Sequence, residues 1–246
     1  MGSGNSGRFD VFSRSLQLIM KFTFGIITSP GTDIFIQQIV DSICEENIPE
    51  FEILIIGGST PYEDGSLRVI PFDENQKRMW ITRKKNLITQ NAKYENIVYL
   101  HDYITFFPGW YNGFLKFGND FEVCITPILN SDNTRFRDWT LWFDDPNPDR
   151  QRLLPYEVTD LSKYMYISGA YWIAKKRLME QFPLDESLSW GESEDIKWSK
   201  QVREVYDFKI NTNSYVKLLK YKDPVFTYAT PQMIQQLRQN ATLRTK

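Results

Sequence analysis

The sequence predicts an α/β fold with a mostly parallel central sheet flanked by helices, and three observations carry that expectation. Apolar runs of strand length alternate with helix-like segments through the first part of the chain. Those runs are mostly apolar, as buried strands require. Each ends in Gly, Ser or a polar pair, which marks the carboxyl edge of the sheet, where ligands of such folds bind.

Phe22-Thr23-Phe24-Gly25-Ile26-Ile27-Thr28 reads as the first buried strand, ended by Ser29-Pro30-Gly31. Thr32 or Asp33 is placed to cap a helix whose Ile34, Ile36, Ile39, Val40 and Ile43 fall mostly on one face. Phe51 to Ile56 is a second buried strand, stopped by Gly57-Gly58-Ser59. Residues 68–71 suit a short third strand and residues 83–93 a helix. Ile97-Val98-Tyr99-Leu100 is a further strand ending at His101-Asp102. The ends Thr28-Ser29, Gly57-Gly58 and His101-Asp102 should therefore converge on one crevice. The second half is less regular. Phe121 to Leu129 is strand-like, residues 130–163 read as a long loop region, and Tyr164 to Ile173 is a strand interrupted by Ser168-Gly169-Ala170. Residues 174–181 and 194–206 look helical, Tyr215 to Leu219 and Val225 to Thr227 are strand candidates, and Pro231 opens a terminal helix.

The chain has 246 residues, enough for one α/β domain. Its net charge of −2 argues against a nucleic-acid partner. Cys44 and Cys124 are too few and too far apart for a disulfide framework or a metal-ligand spacing. No apolar run is long enough for a transmembrane helix, so a cytoplasmic protein is expected. Residues 1–19 open on a polar, glycine-rich stretch and read as a foreign leader or an N-terminal extension. Aromatic residues make up 15%, which serves either sugar stacking or core filling.

Five groups can do chemistry. His101-Asp102-Tyr103 follows a wholly apolar strand, so its polar groups face the crevice. Asp102 is a hard oxygen ligand for a cation that neutralises a diphosphate, and His101 suits Mn2+ better than Mg2+. The alternative is a turn capped by Asp102 with His101 on the surface. In Ser193-Glu194-Asp195, Ser193 is positioned as an N-cap, and the helix dipole favours ionised carboxylates in the first turn. An ionised carboxylate is the state a general base needs, and Trp190 nearby offers a sugar platform; acidic first turns also occur for stability alone. Arg83-Lys84-Lys85-Asn86 can reach phosphate oxygens or form a solvated basic face. Arg135-Phe136-Arg137-Asp138-Trp139 suits a hydroxyl-rich acceptor, or is an Arg–Asp pair pinning a loop. Lys217, Lys220 and Lys222 can close over a diphosphate or form a surface cluster.

Together these segments resemble the GT-A glycosyltransferases, especially the large inverting, family 2-like group that makes polysaccharides and glycoconjugates. The resemblance runs from Phe22 to Lys222. Phe24 to Thr28 is similar to the family's opening strand, and Phe51 to Thr60 to its second, with Gly57-Gly58 where acidic residues are usual. Lys85-Asn86 falls where the family has Arg-Asn, and Tyr99-Leu100-His101-Asp102-Tyr103 falls on its apolar strand and Asp-x-Asp motif. His101 replaces the first Asp and Tyr103 the last, and no second His exists in the chain. Phe107-Pro108-Gly109-Trp110 matches the Pro-Gly-Trp beyond that motif. Ser168-Gly169-Ala170 resembles the acceptor segment, Pro183-Leu184-Asp185-Glu186 the approach to the catalytic loop, and Glu194-Asp195-Ile196 the Glu-Asp motif.

The resemblance implies a GT-A domain over residues 20–246, with a nucleotide-sugar half at 20–120 and a smaller acceptor half at 121–246. It implies transfer, with inversion, from a nucleoside diphosphate sugar to a hydroxyl of a glycan or glycoconjugate. Thr28, Ser29, Gly57, Lys85, Asn86, His101, Asp102 and Tyr103 would hold the donor, and Asp102 with His101 a divalent cation, Mn2+ or Mg2+. Asp195 would be the base, with Glu194 or Glu192 orienting an acceptor lined by Arg137, Asp138, Trp139, Gly169 and Trp190. Two rivals remain. A nucleotidyltransferase needs a Gly-rich basic loop after the first strand, for which Ser29-Pro30-Gly31-Thr32 is poor; a non-catalytic carbohydrate-binding domain needs aromatics alone.

Overall fold

The computed structural model describes residues 19–58, 65–143, 151–225 and 227–244, the side chains of the last helix only to residue 241. The leader up to residue 18, Ser59-Thr60, residues 144–150 and Phe226 lie outside the described residues.

Strands β1 (Phe22–Ile27), β2 (Phe51–Ile56), β3 (Leu67–Ile70) and β4 (Asn96–His101) are parallel neighbours in the order β4-β1-β2-β3. Their side chains alternate between two apolar layers. Phe22, Phe24, Ile26, Ile53, Ile55, Val98 and Leu100 face one layer; Ile27, Leu54, Ile56, Ile97 and Tyr99 face the other. Burial on both faces is why these strands read as unbroken apolar runs. Helix α1 (Ile36–Cys44) covers the first layer with Ile36, Ile39 and Ile43. Helix α2 (Ile81–Asn91) covers the second with Ile81 and Ile88. It lies close to β1 because position 25 is glycine; a Cβ there would overlap the Ile88 side chain.

The Pro-Gly-Trp segment opens a helix that the sequence pattern does not announce, α3 (Trp110–Phe117), entered through Gly109 at φ +88°. Between β4 and α3 runs a short strand β5 (Ile104–Phe106). The expected strand Phe121 to Leu129 is broken at Pro127 into β6 (Val123–Ile125) and β7 (Ile128–Leu129), which enter different sheets. The expected loop region holds β8 (Thr140–Trp142) and β9 (Gln151–Leu153). The expected strand Tyr164 to Ile173 is likewise two: β10 (Met165–Tyr166), which pairs antiparallel with β8, and β11 (Tyr171–Lys175), antiparallel to β4 in the main sheet. Residues 167–170 cross between them.

Helices α4 (Lys176–Gln181) and α5 (Glu194–Val202) follow, then β12 (Phe208–Ile210) beside β6, and β13 (Val216–Leu218) between β5 and β7. The candidate strand Val225 to Thr227 contains Phe226, outside the described residues; just beyond it Tyr228 forms an isolated bridge with Leu153. Helix α6 (Pro231–Arg244) closes the chain as expected. Seven strands thus form the main sheet in the order β12-β6-β11-β4-β1-β2-β3, with one antiparallel member, β11. Among the described residues no helix is long and apolar enough to cross a membrane.

Candidate active site

Because β1 pairs in register with both neighbours, Ile27 is level with Ile56 on one side and His101 on the other. The residues that follow, Thr28, Gly57 and Asp102, therefore share one edge. Asp102 is buried, and its Oδ2 accepts hydrogen bonds from the hydroxyls of Thr28 and Thr32, each at 2.7 Å. Of the two expected helix caps, Thr32 or Asp33, Thr32 makes no cap bond and instead serves the carboxylate. Gly57 sits at φ +88° with its Cβ position 2.5 Å from the Thr28 carbonyl oxygen, so no side chain fits there. Lys84 reaches in from α2 and donates to the Thr28 carbonyl at 2.5 Å, Ser29 Oγ at 2.9 Å and Glu74 at 2.5 Å.

These groups line a cavity of about 650 Å³ and a smaller one of about 280 Å³ that meet at His101, Tyr103, Trp190 and Lys222. The smaller is formed by Thr28, Ser29, Thr32, Lys84, Asp102 and Lys220, with Ile27, Met79 and Ile81 as its apolar wall. Burial, and then the surrounding charges of Lys85, Lys222, Lys220 and Lys84, holds the His101 imidazole neutral, well below the usual histidine range. Tyr103 is a platform for two ammonium groups. Lys222 Nζ donates to its hydroxyl at 2.6 Å and lies 4.3 Å from the ring centroid; Lys220 Nζ lies 4.2 Å from the same centroid. Burial first, then Lys220 and Arg137, pushes the Lys222 ammonium down to about 8.

The larger cavity has carboxylates in its wall. Glu194 and Asp195 open α5, and the crossing segment 167–170 passes directly over them. The Gly169 amide donates to Asp195 Oδ2 at 2.9 Å and the Ile196 amide to Oδ1 at 2.8 Å. Ser199 ties the two elements together, accepting from the Ile167 amide at 3.0 Å and donating to the Asp195 carbonyl at 2.7 Å. Position 169 has no room to spare: a Cβ would lie 3.0 Å from Glu194 Oε1 and 3.1 Å from Asp195 Oδ2. Burial raises both carboxyls above the ordinary range, opposed at Asp195 by the Gly169 amide and the Lys85 charge, and at Glu194 by Lys85. The other walls are Trp142, Gln151, Tyr166, Phe136, Arg137 and Tyr221. Tyr166 Oη and Arg137 Nε are buried with no hydrogen-bond partner among the described residues, two unsatisfied groups on side chains of this wall.

Of the residues singled out in the sequence, Thr28, Ser29, His101, Asp102, Tyr103, Arg137, Gly169, Trp190, Glu194 and Asp195 line one or both cavities. Others do not. Lys85 is buried behind the site, donating to the Gly169 carbonyl at 2.8 Å over the face of Trp172, and touches neither cavity. Asn86 binds the Leu184 amide and carbonyl and the Glu186 carboxylate, so it pins the loop ahead of α5 instead of meeting a nucleotide. Asp138 is fully buried among Arg135, Tyr156 and the Ile128 and Trp139 amides; the pinning alternative holds for it. Trp139 is core, with its indole N–H donated to the Val158 carbonyl. Glu192 is exposed and accepts from the Ser189 amide outside both cavities. Gly57 shapes the edge through its backbone, and Ser193 makes no side-chain cap but stands at φ +61°. Lys217 donates to Asn133 away from the site. Sequence reasoning missed Met79, Trp142, Gln151, Tyr166 and Tyr221, single residues on loops or very short strands with no periodic signal.

As a cation site the smaller cavity is poorly furnished. It offers one carboxylate, whose Oδ2 is already engaged by two hydroxyls, and one imidazole. Three lysine ammoniums share the same space, and among the described residues no group of three or more His, Cys, Asp or Glu could hold a metal. Asp102 and His101 therefore do not make a fitting home for Mn2+ or Mg2+ by themselves.

No protein-family model matches the sequence, and no curated protein matches it. Solved structures do. GalNAc-T7, crystallised with UDP, GalNAc and Mn2+, superposes with a TM-score of 0.58 at 11% identity, over 89% of this chain and 47% of that one. TarS of S. aureus gives 0.54 at 12% identity, over 92% of this chain and 39% of that one. A TarS fragment, residues 1–349, gives 0.50 at 12% identity, over 91% and 65%. This chain thus spans less than two thirds of each of these three structures. Both proteins are GT-A glycosyltransferases, and the mixed sheet with its flanking helices is the GT-A fold.

Proposed function

We propose that the chain is a glycosyltransferase that moves a sugar from a nucleoside diphosphate sugar in the smaller cavity to a hydroxyl of a glycan or glycoconjugate in the larger one, with inversion. The observation that carries this reading is the junction. His101, Tyr103, Trp190 and Lys222 line both cavities, so an anion in one and the Asp195 carboxylate in the other address the same point. Trp190 is exposed and its amide donates to the Met79 carbonyl at 3.1 Å, which ties the loop before α5 to the donor side.

Asp195 takes the proton from the acceptor hydroxyl. That oxygen attacks the anomeric carbon from the face opposite the diphosphate, the bond to the phosphate oxygen breaks, and the configuration inverts. Two backbone amides fix the orientation of the carboxylate before substrate arrives. Its burial raises the pKa towards the working pH, which strengthens it as a base. Glu194 orients the acceptor, and the rings of Trp142 and Tyr221 beside the Arg137 side chain suit a hydroxyl-rich molecule. A divalent cation at Asp102 and His101 has no step in this reading.

Residues 20–246 act here as one catalytic unit, the donor side at 20–120 and the acceptor side at 121–246, except that Lys220 and Lys222 reach back to the donor. A cytoplasmic setting completes the reading, since among the described residues Cys44 and Cys124 form no disulfide. The test is a panel of UDP-, GDP-, dTDP- and CMP-sugars offered with simple glycosides, with nucleotide release and product anomeric configuration both measured. One donor class should react with inversion, and Asp195→Asn should leave the donor bound but unreacted. A folded chain that binds no nucleotide sugar would sink the reading.

A further inference from the structure

We propose that Lys220 and Lys222, held against the ring of Tyr103, form a clamp that binds the diphosphate of a nucleotide in the smaller cavity without a divalent cation. The inference rests on the transferase reading for the identity of the anion. The clamp itself stands on geometry.

Lys84 is neutralised locally by Glu74, and its three N–H donors are taken by Glu74, the Thr28 carbonyl and the Ser29 hydroxyl, so it braces one wall and leaves no donor for a ligand. Lys220 and Lys222 are different: among the described residues neither forms a salt bridge. Their ammoniums nevertheless lie 4.2 and 4.3 Å from one ring centroid, like charges brought together. The fold enforces that closeness. The Leu219 amide donates to the Tyr103 carbonyl at 2.8 Å, and the fully buried Asn130 accepts from the Lys222 amide and donates to its carbonyl. An anion between the two ammoniums relieves their repulsion. A diphosphate in a nucleotide sugar carries one negative charge on each phosphate, and two uncompensated lysines match it. Asp102 then has a structural part instead of a metal-binding one. By holding Thr28 and Thr32 it shapes the Ser29–Thr32 turn that forms the cavity rim.

The experiment is calorimetric titration of the full chain with UDP, GDP, CDP and dTDP and with the matching nucleosides, in EDTA and then in Mn2+. The tightest nucleoside diphosphate should bind as well in EDTA as in Mn2+ and better than its nucleoside. Lys220→Ala and Lys222→Ala should each weaken the diphosphate by about tenfold to a hundredfold and leave the nucleoside unchanged. Lys222→Arg, which keeps the charge, should recover most of the loss. Lys220 is exposed, so its variant decides the matter even if the Lys222 variants fold poorly. Diphosphate binding that disappears in EDTA, or that survives both alanine variants unchanged, overturns the clamp and leaves the transferase reading standing. If neither nucleosides nor diphosphates bind the wild-type chain, both fall together.

Discussion

The two cavities share four residues yet are built of opposite materials. The smaller sits on the aligned ends of β1 and β4, and its charged lining is mainly cationic: Lys84, Lys220 and Lys222 against Asp102 alone. The larger is walled by the crossing segment, the start of α5 and the short strands β8, β9 and β10, and it carries the carboxylates Glu194 and Asp195 among aromatic rings. On the proposed function, the difference separates two chemical roles. Negative charge that builds on a leaving diphosphate needs cations; a base that removes a proton needs to stay anionic in a partly dry place. It also separates two degrees of freedom. Strand ends are dictated by the sheet, whereas loops and short strands can vary around the same sheet and choose the acceptor.

Asp195→Asn tests the division most severely. Transfer should fall by about 10²–10⁴-fold in kcat/KM, the usual size of a lost general base, while the Kd for the nucleoside diphosphate stays put. A matching loss of nucleotide affinity would show that the two cavities are one functional unit. Next in size is a contrast of two tryptophans. Trp139, fully buried with a bonded indole, should cost about 3–5 kcal/mol of stability when changed to Ala. Trp190→Ala should leave urea unfolding nearly unchanged and raise the KM for both substrates, because it is exposed and lines both cavities.

The same division explains what could be read in the sequence. The donor edge was legible because a buried parallel strand leaves an unbroken apolar run with a polar stop, as at Leu100-His101-Asp102 and Ile27-Thr28. The helix opening at Glu194-Asp195 was legible from its acidic first turn. The acceptor wall was not. Strands β8, β9 and β10 have two or three residues each, too few to show a period, so Trp142, Gln151 and Tyr166 gave no signal. Lys84, Lys85 and Asn86 were equivalent as letters; the helical rotation sends Lys84 to the donor edge, Lys85 beneath Gly169 and Asn86 to the Leu184 loop. Trp139 and Trp190 were likewise indistinguishable as sugar platforms until burial separated them.

Smaller effects probe how the acceptor side is positioned. Gly169→Ala pushes a Cβ against both carboxylates, so kcat should drop by about tenfold or more with little change in nucleotide binding. Lys85→Met removes the positive charge that opposes the raised pKa of Asp195. As the proposed base Asp195 would act when deprotonated, so activity should rise with pH through its pKa. Loss of the cation raises that pKa further, and the acid limb of the kcat/KM profile should move to higher pH, by on the order of one unit. An unmoved limb with reduced activity would mean that Lys85 only packs against Trp172 and Gly169.

The smallest effect is at Ser193, which stands at φ +61° directly before the two carboxylates with no side-chain cap bond. A left-handed conformation costs a residue with a Cβ about 1–2 kcal/mol, and glycine is free of that cost. Glycine also loses more backbone entropy on folding, by about 0.5–1 kcal/mol, so Ser193→Gly should stabilise the fold by no more than about 1 kcal/mol. Thermal denaturation measures that gain, and the kinetics decide what the strain is for. If kcat is unchanged, the strained turn is only the route by which the chain enters α5. If kcat falls while stability rises, the side chain at 193 helps fix the turn that aims Asp195 into the larger cavity, and the strain belongs to the acceptor side's preorganisation.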